Sequence, residues 1–191
     1  MRKQPQITEK TKQKIISAFW QLYKTSDISH ISIKKVMEIA GYNRCTFYEY
    51  FNDIYDPLYY IEESIISFIK LNIISNISNF KIDKNILNNV IYLYQETGEY
   101  ISILLSENGD LSFKNKIKTE LKPIFYSNFH LIDTPHSEII FEYTISGLIN
   151  AFSYWYKNKN KISINDFTEM IYPIIFNGTM SEIKKLQTKK Q

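Results

Sequence analysis

Only one cysteine, Cys45, occurs in 191 residues, which excludes an intramolecular disulfide framework and suits a reducing cytosol. Five glycines and five prolines are few for an all-β architecture, and the apolar residues recur at intervals of three and four, as helices require. The longest apolar runs are short and broken by Asn, Lys and Ser, so no transmembrane helix is expected. The opening residues Met1-Arg2-Lys3-Gln4-Pro5 are basic and polar with no apolar signal segment behind them, and a cytoplasmic location follows as the expectation. There is no P-loop, no dinucleotide-binding glycine run, no CxxC and no His/Glu metal pattern. His30 has no second ligand at usable spacing, and His130 and His136 flank a loop as a poor pair. Without a cluster of acid and base groups, an enzyme is the weakest reading, and neither a metal nor a cofactor is expected.

What is present is an apolar, aromatic-rich chain, 44% hydrophobic and 15% aromatic, which can bury a core and is not disordered. Its net charge of +3 conceals an asymmetry. Residues 1–52 hold nine Lys/Arg against four Asp/Glu, whereas the remainder holds 14 against 16. Charge alone reads more readily as a solvated surface, but together with the motif inside this segment it favours a phosphate-facing module.

Within that segment Ser32–Phe51, SIKKVMEIAGYNRCTFYEYF, reads as two short helices and a tight turn. Ile33, Val36, Met37 and Ala40 fall at helical spacing, and Ser32 is placed to cap the start. Gly41 can take the left-handed conformation that ends the helix, and Asn43 can cap the next one. Phe47 and Phe51, four apart, supply that second helix with a packed back, which leaves Arg44, Cys45, Thr46, Tyr48 and Tyr50 on the other faces. A short helix with a buried back and a donor-rich front is what major-groove readout requires. Preceding it, Ile15, Ile16, Phe19, Leu22 and Tyr23 form one stripe of a helix over about 10–24, with Lys10, Lys12 and Lys14 at its start. The chain is therefore read as all-α, with an N-terminal three-helix helix-turn-helix module.

The run I-x-x-V-x-x-x-A-G-Y-N-R-x-T-F-Y-x-Y-F, followed by Asn52, Asp53 and Leu58, resembles the DNA-binding domain of the TetR/AcrR (tetracycline-repressor-like) transcriptional regulators. The resemblance covers about Thr8 to Leu58. Two positions depart from it: Tyr42 stands where the family usually has a small aliphatic residue, and Ile54 where a lysine commonly meets phosphate. The resemblance implies a helix-turn-helix domain over 1–52 and an α-helical ligand-binding and dimerisation domain over 53–191. The partner is then double-stranded DNA, a near-palindromic operator read by a homodimer with half-sites about one helical turn apart. Arg44 is the first candidate for a base edge, because its planar fork can meet guanine bidentately. Lys34 could meet a base or a phosphate. Ser32 could bind phosphate through its hydroxyl and its helix N-terminus. Thr46, Tyr48 and Tyr50 match family positions that meet bases or phosphates, with Asn43 beside them. Packing against the neighbouring helix is an equal reading of Tyr50. Cys45 is a small surface or thymine-methyl contact, with a redox sensor as the lesser alternative.

Beyond the module, a long helix starting near Asp53–Pro57 is expected to run to about Asn76 through Leu58, Ile61, Ile65, Phe68 and Ile69. A polar connector over 75–84 follows, then a helix from Lys84 to Thr97 broken at Gly98, and a short Tyr100–Leu105 piece. Glu107-Asn108-Gly109-Asp110 reads as a turn, and another helix runs from Leu111 to Phe129 with Pro123 inside. LLSENGDLSF with the basic helix after it also loosely resembles the C-terminal domain of regulators such as the dihydroxyacetone kinase activator. The last two helices are expected over 136–157 and 165–185. A small-molecule effector is implied by the family resemblance, and Phe68, Tyr92, Tyr94, Tyr100, Phe125, Tyr126 and Phe129 are the aromatics that could line its cavity. The resemblance assigns dimerisation to Tyr143, Gly147, Leu148, Ala151, Tyr154 and Trp155 on the first of the two final helices, and to Met170, Ile171, Ile174 and Ile175 on the second, with closure of the monomer core as the alternative reading of both. Gly147 and Ala151 are small enough for close helix approach. The expected function is a repressor released by an apolar or aromatic ligand. The alternative is an activator or co-regulator that works through a protein partner without an inducer.

Overall fold

The computed structural model describes residues 5–72, 84–106, 111–179, 181 and 183. Over these the chain is helical, with eight α-helices and no strand. They are α1 (Pro5–Tyr23), α2 (Ile33–Ala40), α3 (Arg44–Tyr48), α4 (Asp56–Asn72), α5 (Lys84–Leu104), α6 (Leu111–Asn128), α7 (Pro135–Lys157) and α8 (Ile164–Ile174). The chain divides into two compact units, Met1–Ser64 and Ile65–Gln191, and α4 runs from the first into the second. Residues 75–83 of the expected connector over 75–84, and the turn at 107–110, lie outside the described residues.

In the first unit, α1 begins at Pro5, earlier than the lysine cluster suggested. A proline suits a first helical turn, where its fixed φ is already helical and its missing N–H would have no partner. Ile15, Ile16, Ala18, Phe19 and Trp20 are buried on α1. Asp27 then accepts hydrogen bonds from the Ser29 amide at 2.9 Å and the Ser29 hydroxyl at 2.6 Å, closing a single 3-10 turn over Ile28–His30. These bonds hold the Asp27 carboxyl below its ordinary pKa, the Ser29 hydroxyl contributing most. Helix α2 packs on α1 and α3 on α2, with Ile31, Val36, Met37, Phe47 and Phe51 closing the core.

The second unit buries Leu93, Ile101, Leu104, Phe113, Leu121, Phe125, Phe129, Phe141, Ile145 and Trp155. Three observations revise the sequence reading. Helix α5 is continuous through Gly98. The glycine is there for space, since a Cβ would stand 2.7 Å from Tyr94 Cδ2 and 3.1 Å from Tyr156 Cε2. Helix α8 stops at Ile174, and a π-helical turn follows over Ile175–Thr179. Pro173, one residue before the helix ends, has no amide to continue the α-helical bonding.

The third revision concerns Trp155, which leaves the proposed dimer face. It is only 2% exposed, stacks on Phe167 at 5.1 Å, and donates its indole N–H to the Ile162 carbonyl at 2.9 Å. One residue past exposed Tyr154, it is turned by about 100° around the helix axis, which takes it into the core. Helix α7 begins with a capping box between Thr134 and Ser137, and Ser163 caps α8 by accepting from the Asp166 amide at 3.1 Å. Helix α6 ends with His130 at φ 49°, a left-handed residue. Beyond it, the Leu131 amide reaches back to the Tyr126 carbonyl at 2.9 Å.

Candidate nucleic-acid interface

The helix-turn-helix geometry is built from short-range bonds. The Ser32 hydroxyl accepts from the Lys35 amide at 3.3 Å and starts α2. Gly41 ends it at φ 76°, its amide directed to the Met37 carbonyl. The Tyr42 amide bonds the same carbonyl at 3.0 Å. Asn43 Oδ1 accepts from the Thr46 amide at 2.9 Å and the Thr46 hydroxyl at 3.2 Å, so one side chain starts α3 and fixes its first turn. Phe47 is fully buried and lies 5.4 Å from the Phe51 ring. The back of α3 is thereby locked, and its rotation about its own axis is set.

The opposite side of α3 is open. Arg44, Cys45 and Tyr48 are exposed, and Tyr48 retains 59% of its surface, a large value for an aromatic residue with a core beneath it. Ser32, Lys34 and Asn43 are exposed, whereas Thr46 and Tyr50 are half-buried. All eight candidate DNA contacts therefore lie on the α2–turn–α3 segment with some surface available. Their chemistry differs. Asn43 Oδ1 is committed to the cap, and the Thr46 hydroxyl, donating to it, keeps its lone pairs for a base amino group.

The frame around this segment contains contacts that the pattern of apolar residues gave no sign of. Lys12 Nζ stands 3.7 Å above the Tyr60 ring and 5.9 Å from that of Phe51, fastening α1 to the start of α4. Lys14 Nζ lies 5.7 Å from the ring of Tyr42, so the tyrosine that departs from the family pattern carries a basic neighbour. After α3, Asp56 Oδ2 accepts from the Asn52 amide at 2.6 Å and its side-chain amide at 2.9 Å. Asp53 Oδ1 accepts from the amides of Tyr55 at 2.8 Å and Asp56 at 3.2 Å. These carboxylates fix the entry into α4 beside Ile54. Their signal was in the sequence as N-D-x-x-D, a spacing that lets each acid reach amides within four residues.

The aromatics considered for a ligand fall into different ring clusters of the second unit. Phe68 and Tyr92 stack at 5.6 Å. Phe125 and Phe129 are buried 4.8 Å apart, with the Phe141 ring 5.4 Å from that of Phe125, and Tyr126 donates its hydroxyl to Glu138 at 3.0 Å. Tyr94 meets Trp155 edge-on at 4.8 Å, and Tyr100 is half-buried. Among the described residues no group of His, Cys, Asp and Glu could hold a metal ion, and no helix is long and apolar enough to cross a membrane.

Residues 84–177 match the model of a family described as the C-terminal region of transcriptional regulators of the TetR type. A TetR transcriptional regulator from Streptococcus agalactiae 2603V has a similar structure, with a TM-score of 0.63 and 19% identity, over 90% of this chain and 96% of that one. A TetR-family transcriptional regulator from Streptomyces coelicolor is similar at a TM-score of 0.62 and 15% identity, over 93% of this chain and 89% of that one. Comparison with curated protein sequences gives no match. The family match lies in the second unit, while the helix-turn-helix geometry lies in the first. Residues 84–177 thus belong with the C-terminal regions of TetR-type transcriptional regulators, and the chain shares its fold with the two TetR regulators.

Proposed function

We propose that the protein is a dimeric repressor that reads a near-palindromic operator through α3 and leaves it on binding an apolar or aromatic small molecule. The carrying observation is the geometry of α3: Phe47 is buried behind it, and Arg44 and Tyr48 are exposed in front. On this reading Arg44 donates to a guanine edge, and Tyr48, Ser32 and Lys34 hold the register on phosphates and neighbouring bases. Tyr143, Gly147 and Tyr154 share the exposed side of α7 with Ile139, and Met170 and Ile174 are exposed on α8. Ile139, Tyr143 and Tyr154 each retain 68–70% of their surface. So large an apolar strip supports a helical interface with a second copy.

The test is fluorescence anisotropy on the DNA upstream of the protein's own gene, against a scrambled duplex and across a salt series. Selective binding that weakens with salt is expected, and Arg44→Ala should cost about 1–3 kcal/mol of discrimination at one base pair of each half-site. Equal affinity of the wild type for every duplex, including those from a random library, refutes sequence reading. A second reading, a regulator that works through a protein partner without an inducer, is favoured by one observation. Phe125 and Phe129, two of the candidate ligand-facing rings, are buried against each other, and Phe125 also meets Phe141. Release of the protein from DNA by an aromatic compound at stoichiometric levels decides for the inducer.

A further inference from the structure

Helix α2 carries an acid on a surface that has to approach a polyanion. Glu38 lies one turn beyond Lys34, with Lys34 Nζ 3.9 Å from Glu38 Oε1; the Lys34 side chain keeps 71% of its surface and that of Glu38 62%. Three other carboxylates near this face have structural partners: Asp27 closes the 3-10 turn, and Asp53 and Asp56 hold the entry to α4. Glu38 makes no cap and stands next to a candidate DNA contact. For a protein that needed only affinity, a carboxylate here would be a cost, since each effective cation adds to phosphate binding on any sequence.

Resting on the DNA-binding reading, we propose that Glu38 is a positioning residue that makes Lys34 a base-selective contact in place of a general phosphate contact. On a non-cognate duplex the ammonium stays with its neighbour at i+4, its charge is partly neutralised, and the carboxylate repels the backbone. On the operator, the paired O6 and N7 acceptors of a guanine offer the ammonium a better-defined site than a phosphate does. The selectivity then lies in the difference between the two complexes, lowered at the wrong sites by a built-in repulsive group.

The test is a double-mutant cycle with Glu38→Gln and Lys34→Ala, read by selection from a random duplex library and by salt-dependent anisotropy on the selected and a scrambled duplex. Glu38→Gln should tighten binding to the scrambled duplex about three-fold at low salt and steepen its salt slope by about 0.9. It should also relax a guanine preference at one position of each half-site, the one Lys34→Ala abolishes, within the roughly 5- to 150-fold span of a single base contact. In the Lys34→Ala background it should leave the base preference unchanged and tighten the scrambled duplex by less. A wild-type base preference and salt slope kept by Glu38→Gln, or equal effects with and without Lys34, overturn the proposal. A wild-type protein that selects no sequence refutes the DNA reading itself. Both side chains are exposed, so circular dichroism should show unchanged folding.

Discussion

Gly98 and Gly147 both sit inside long helices, yet alanine should move stability in opposite directions at the two positions. An ordinary helix-interior glycine gains about 1 kcal/mol on becoming alanine, because the unfolded chain loses freedom. Gly147 has nothing within 4 Å of the position a Cβ would take, so Gly147→Ala should show that gain. At Gly98 the new methyl would stand 2.7 Å from Tyr94 Cδ2 and 3.1 Å from Tyr156 Cε2. Comfortable carbon–carbon contact is about 3.5–4.0 Å, so the Tyr94 ring must retreat by roughly 1 Å. It has little room to do so, because it lies edge-on to Trp155 at 4.8 Å and to Tyr156 at 5.9 Å. Trp155 is pinned in turn by Phe167 and by its bond to Ile162. Overpacking of this kind costs about 1–3 kcal/mol. Against a gain of about 1 kcal/mol from propensity, Gly98→Ala should lose roughly 1 kcal/mol, or about 2–4 °C in Tm. Urea unfolding followed by far-UV circular dichroism reads both variants, and a protein dilution series separates any change in self-association at Gly147. In a Tyr94→Leu background the loss at Gly98 should shrink, because the nearer of the two rings is gone and only Tyr156 still crowds the methyl. A Gly98→Ala variant as stabilised as Gly147→Ala would refute the packing argument.

Three more outcomes follow from the same structure. Asn43→Ala removes the acceptor of both Thr46 bonds and should cost about 1 kcal/mol; amide exchange should show the loss confined to α3, and operator affinity should fall with it. His130→Gly should stabilise by about 1 kcal/mol in thermal unfolding, since a left-handed residue with a Cβ gives way to one without. Glu120, hydrogen-bonded by Lys70, and Glu138, by Lys122 and then Tyr126, have carboxyl pKa values below their ordinary range. Their contribution is complete above the unfolded glutamate value of about 4.3 and disappears as pH falls through the lower folded values. Urea midpoints should therefore drop between about pH 5 and 3, and in Glu138→Gln they should drop less steeply.

The helix-turn-helix was legible in the sequence because its determinants are local. Ser32, Gly41 and Asn43 act on amides and carbonyls within four residues of themselves, and Phe47 and Phe51 pair at the spacing of one turn. Such bonds form wherever the segment folds, so residue type and order suffice to foresee them. The second unit answers to partners distant in the chain. Lys70 with Glu120, Lys118 with Glu142 and Lys122 with Glu138 tie α4 to α6 and α6 to α7 across 50, 24 and 16 positions. Periodicity predicted an apolar side for α7 but not which apolar residues face the core: Tyr143 and Tyr154 remain exposed while Trp155 is buried. The glycine at 98 looked like a break because glycine usually is one, and only the ring of Tyr94 and the arrival of Tyr156 from α7 show it to be a close approach. The sequence by itself determined the capped turn, the donor-bearing face of α3 and the basic charge around them, since each depends on neighbours a few bonds away. Tertiary structure decided which aromatics fill the core, where α5 continues and α8 ends, and which acid stands beside which base, because burial and pairing depend on what other helices bring to the same place.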